Sequence, residues 1–101
     1  MKTLTLMIHA GVQQTLADSL RLLPQVQGFT ITHVEGHSSH SNQDPFMSER
    51  DKVVGYVPRV RVDLLLQDAD VSVVLSSLQA QDVFRSQGIY WITPVEEEGR
   101  L

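Results

Sequence analysis

Residues 53–78 read VVGYVPRVRVDLLLQDADVSVVLSSL, and a change of period inside this stretch decides the architecture. Val60, Val62, Leu64 and Leu66 alternate with Arg59, Arg61, Asp63 and Leu65. That two-residue period gives a strand one apolar face and one mixed face. Pro58 has no N–H to give a central ladder, so it is expected at a bulge or where a neighbouring strand has run out. Past Gln67 the period lengthens, and Val71, Val74, Leu75 and Leu78 form a single stripe at helical spacing. Asp68 is expected as the N-cap of this helix, and Asp70 complements the positive end of its dipole. A strand running straight into a helix, each with one face to bury, is half of a two-layer α+β domain.

The rest of the chain supplies the other half. Near the N-terminus Leu4, Leu6 and Ile8 alternate with Thr3, Thr5, Met7 and His9, which reads as a strand rather than as a leader peptide. Val12, Leu16, Leu20 and Leu23 then recur at helical spacing, and Pro24 marks the exit from that helix. Gly28 opens a second strand, GFTITHVEG, with Phe29 and Ile31 on one face and Thr30, Thr32 and Val34 on the other. GIYWITPV, from Gly88, closes the chain as a last strand. The order β-α-β-β-α-β is the ferredoxin-like plan, in which both helices cover one face of a four-stranded antiparallel sheet. Its other face should carry Met7, Val34, Leu65, Ile89 and Trp91 among Thr5, Thr32, Arg61 and Asp63. An apolar patch of that kind on a small domain suggests a subunit interface. Arg61 and Asp63 are expected as an ion-pair row in that interface, and His9 as a partner of Asp63 or a helix cap.

A chain of 101 residues with 42% hydrophobic content suits one soluble domain, here residues 1–101. The net charge of −4, with Lys and Arg scattered, argues against nucleic acid as a partner. No apolar run has bilayer-spanning length, and the absence of cysteine excludes disulfides and thiolate metal sites. A cytoplasmic location is the simplest expectation.

One segment fits no core. VEGHSSHSNQDPFMSERDKVVGY, residues 34–56, separates the two middle strands, where connections usually take about four to six residues. It contains His37 and His40, with His33 just before it, and imidazole suits Zn, Cu or Ni. Asp44, Glu49 and Asp51 offer oxygen ligands. Three copies around an axis would complete a His₃ set, so metal binding or metal tolerance through His33, His37 and His40 is one functional reading.

Residues 53–78 and GIYWITPVEEEGR (residues 88–100) together resemble the PII signalling proteins: a strand with a proline followed by a basic residue, an acidic helix start, and a last strand ending Pro-Val-Glu-Glu, here Pro94 to Glu97. The first strand and helix agree by pattern alone. This resemblance implies a homotrimer in which residues 36–52 are the T-loop, the arm that touches a target enzyme or membrane transporter. The docking residues it implies are His37, Ser38, Ser39, His40, Asp44, Phe46 and Met47. It also implies a small ligand, such as an adenine nucleotide, in a cleft between subunits near Gly36, Arg59, Gly88 and Arg100. Arg59 matches a phosphate-reaching basic residue of that family, and Gly36 the first glycine of its loop. The chain departs from the family in the phosphate loop: DVFRSQGIYWI (residues 82–92) keeps Gly88 but has Ile89 where a lysine belongs. No tyrosine stands at the loop tip, and the basic C-terminal segment is reduced to Arg100. The sequence therefore reads as a divergent PII-like regulator.

An enzyme is not expected. The chain has no cysteine, no Gly-x-Ser-x-Gly elbow, no P-loop and no carboxylate pair in an evident apolar pocket. Glu96, Glu97 and Glu98 read as a solvated acidic run.

Overall fold

The computed structural model describes residues 1–37 and 57–101. Its elements in chain order are β1 (Lys2–His9), a 3₁₀ turn (Ala10–Val12), α1 (Gln13–Arg21), β2 (Thr30–Gly36), β3 (Val57–Leu66), α2 (Asp68–Gln79), a second 3₁₀ turn (Asp82–Phe84) and β4 (Gly88–Pro94). The four strands form one sheet in the order β2-β3-β1-β4, with all three pairings antiparallel. This is the ferredoxin-like arrangement the sequence pattern predicts.

Register decides which side chains share a face, because directly paired residues point the same way. Leu4 pairs with Leu64, Leu6 with Val62 and Ile8 with Val60. All six are buried and form the floor of the core with Leu66. Leu16 and Leu20 of α1 and Val71, Val74 and Leu78 of α2 close over it, as their helical spacing predicts. Both helices therefore lie on one face, and no helix among the described residues is long and apolar enough to cross a membrane. Pro58 sits one residue beyond the last β1–β3 pair, His9 with Arg59, so its missing N–H falls where the neighbouring strand has ended.

Two local expectations are corrected and one pair of alternatives is decided. Asp68 is not an N-cap: the cap position is Gln67, which makes no side-chain cap bond. The Asp68 carboxylate instead meets the ammonium of Met1 at 2.8 Å. That hydrogen bond, aided by the charges of Lys2 and the N-terminus, holds its carboxyl below the ordinary aspartate range against a smaller opposing effect of burial. Strand β2 begins at Thr30 rather than Gly28, while Phe29 packs against the core. His9 takes the capping alternative and not Asp63: its Nδ1 accepts the Gly11 N–H at 2.9 Å, closing the first 3₁₀ turn.

Ser86, before β4, has φ 58°, a left-handed conformation that costs a side chain about 1–2 kcal/mol. Ser86→Gly is expected to stabilise the protein by about 0.5–1 kcal/mol, the relief of strain being partly offset by the freer unfolded chain. Urea unfolding measures it; a loss of stability would instead show the serine hydroxyl to be anchoring the turn.

Candidate functional site

The open sheet face carries two linked clusters. At its centre, Thr5 pairs with Asp63 across β1 and β3, and the Thr5 hydroxyl donates to Asp63 Oδ1 at 2.7 Å. Arg61 Nε donates to Asp63 Oδ2 at 3.0 Å, and the same guanidinium lies over the Trp91 ring, 5.8 Å from its centroid. Arg61 thus reaches across β1 to an indole on β4, a cation–π contact. Burial pushes the Asp63 carboxyl upward, but the Arg61 and Thr5 hydrogen bonds and the Arg61 charge together outweigh it, leaving Asp63 below its ordinary range. Thr5 is only 1% exposed, although the helices among the described residues lie on the opposite face. Around this polar strap stand half-exposed apolar groups: Leu65 at 43%, Ile89 at 64% and Trp91 at 37%.

The second cluster lies where β2 ends and β3 begins. Gly36 pairs with Val57, so the described residues on either side of the 38–56 segment lie next to each other. Arg59 pairs with Val34, and its stem runs diagonally across Gly36. A Cβ at residue 36 would sit 3.0 Å from Arg59 Cγ and nearer still to Cδ and Nε. The glycine is what lets the arginine lie flat at this root. His9 pairs with Arg59 from the other side, and the His9 N–H donates to the Gln87 carbonyl at 2.8 Å, bringing the start of β4 to the same end of the sheet.

Gly36 and Arg59 are therefore in contact, while Gly88 is two strands from Arg59 in the sheet order. Gly88 also has a structural reason of its own. Its ideal Cβ would fall 2.8 Å from Ile8 Cα and 2.9 Å from Met7 C, with the Met7 carbonyl oxygen closer, so β4 can lie against β1 only with glycine there. Arg100 is exposed in the tail that follows β4, which leaves the sheet beside Met1 and Lys2, at the end opposite Gly88. Within this chain the four ligand candidates do not converge.

His33 is exposed on the edge strand β2, paired with Val60. His37 Nε2 lies 3.3 Å from Glu35 Oε2. No group of three or more metal-ligating side chains assembles among the described residues. His40, Ser38, Ser39, Asp44, Phe46, Met47, Glu49 and Asp51 lie outside the described residues, as does most of the 36–52 arm.

What the residue pattern did not disclose is the bond between Thr5 and Asp63. Each falls on the open face by alternation, but their pairing depends on a register between segments 58 residues apart. A threonine and an aspartate at equivalent steps along two adjacent strands is the only cue.

The family described as a protein of unknown function, DUF3240, matches residues 1–101. This chain belongs to the DUF3240 family. A crystal structure of a DUF3240 family protein from Shewanella baltica OS155 is similar to it with a TM-score of 0.77 and 20% sequence identity, over 99% of this chain and 94% of that one. At that identity the likeness speaks for the fold. The DUF3240 chain thus shares its fold with a solved family member.

Proposed function

We propose that this DUF3240 protein is a non-enzymatic PII-like regulator: a homotrimer that senses a small anionic ligand between subunits and answers through its 36–52 segment. The observation that carries this reading is Arg59 lying across Gly36, the glycine at the end of β2 with which that segment begins. An anion that recruits the guanidinium must lift it from the glycine, so occupancy is felt directly at the root of the arm. The arm then docks on a target enzyme or membrane transporter. Only a ligand that binds one arm state better than another can shift their populations. Arg100, at the opposite end of the sheet, is read as the neighbouring subunit's contribution to the cleft. The exposed Leu65, Ile89 and Trp91 give the open face the apolar surface such an assembly would bury.

Thermal unfolding with ATP, ADP and AMP, and separately with Zn, Cu and Ni, tests the reading. A nucleotide at a hundred times its Kd should add about 2.7 kcal/mol, and Arg59→Ala should abolish that rise. Stabilisation by metal alone, lost in the His37→Ala/His40→Ala double variant, would put metal binding in first place. No response to any ligand, with single subunits in sedimentation, would overturn the regulator altogether.

A further inference from the structure

Strand β4 is an edge strand, and the helices do not cover it. Tyr90 and Ile92 pair with Leu6 and Leu4 and so share their face, yet both remain close to half exposed. The space this leaves between β4, α2 and the turn that follows α2 is a cavity of about 430 Å³, within the ~300–1,000 Å³ usual for small-molecule sites. Leu6, Ile8 and Leu16 line its interior, and Leu78, Phe84 and Tyr90 its sides.

Its chemistry is one-sided. Among the described residues Arg85 is the only charged one in the lining, which includes no carboxylate. Asp82 accepts from one terminal nitrogen of Arg85 at 2.8 Å. This pair is largely exposed, so it orients the guanidinium weakly and leaves the other donors of the fork available. Ser86, the left-handed residue, also lines the cavity. A strained non-glycine residue beside a cavity is a pointer to function, here accompanied by a lone cation.

We propose that this cavity binds an amphipathic organic anion, with an alkyl or aryl body inside and its carboxylate on Arg85. The site lies on the helix-covered side of the sheet and shares only Gly88 and Ile89, at the start of β4, with the regulator reading, whose ligand contact is Arg59 on the opposite face.

Titration of the ¹⁵N-labelled protein with octanoate, and in parallel with 1-octanol, tests it. Saturable amide shifts at Leu78, Phe84, Gly88 and Tyr90 are expected, with octanol binding about fivefold more weakly for want of a charge-assisted bond. Arg85→Ala, at an exposed position, should fold normally and bring octanoate down to the octanol affinity. Three results would overturn the proposal: no saturable shift below the micelle concentration, shifts centred on Thr5, Leu65 and Trp91 of the open face, or equal affinity for octanoate and octanol in the unaltered protein.

Discussion

Gly88→Ala is expected to lose on the order of 3 kcal/mol of unfolding free energy, among the larger effects open to a single methyl group. The added Cβ meets backbone, at Met7 and Ile8, rather than the end of a side chain. Neither strand can rotate away without opening the β1–β4 ladder at its Ile8–Gly88 pair. Gly36→Ala is the informative contrast. There the new Cβ meets the Arg59 side chain, which can swing into solvent, so a stability loss under about 1 kcal/mol is expected. Urea unfolding of the two variants side by side measures both. Equal, small losses would show that β4 yields at Met7 and that glycine at 88 is not required by packing. Because Gly36→Ala displaces Arg59 while sparing the fold, it also separates ligand response from stability.

Removing the Asp63 carboxylate should cost about 2 kcal/mol, chiefly because the Thr5 hydroxyl would be left buried without its acceptor. Asp63→Ala removes both hydrogen bonds of the strap and releases Arg61, which otherwise bridges to the indole. Trp91 is the only tryptophan, so its fluorescence reports that release directly. The pH dependence follows from the same geometry. Asp63 is held below its unfolded value, so its folded form binds protons less readily than its unfolded form. Its contribution is complete above the unfolded pKa of about 3.9 and disappears as pH falls through the lower folded value. Stability should therefore be flat in this respect near neutrality and fall below about pH 4. Asp63→Asn, which keeps an acceptor for Thr5 but cannot titrate, should make that acid limb shallower, leaving the part that Asp68 contributes. An acid limb identical in the unaltered protein and the asparagine variant would place the titration elsewhere.

The order of elements and the composition of both sheet faces were legible in the sequence, because alternation and helical spacing are local properties of consecutive residues. Val60, Val62, Leu64 and Leu66, with Leu4, Leu6 and Ile8, face the core as their period requires, and Pro58 falls where a strand ends. The candidate site was legible only in part. Arg59 and Gly36 were singled out as separate positions, but neither period nor spacing says that one lies across the other. Asp68 reads locally as a cap, yet the ammonium of Met1, at the start of the neighbouring strand β1, takes its carboxylate. The cavity beside Arg85 and Ser86 has no sequence signature, since it exists because α2 stops short of covering β4.

The amino-acid order by itself determined which side chains share a face and which strand or helix carries them, since hydrophobic periodicity commits each segment without reference to any other. Only the tertiary structure decided which polar groups meet: Thr5 with Asp63, Arg61 with Trp91, Arg59 over Gly36, Gly88 against Met7. Those meetings depend on strand register and edge position, which are set by the packing of segments far apart in the chain.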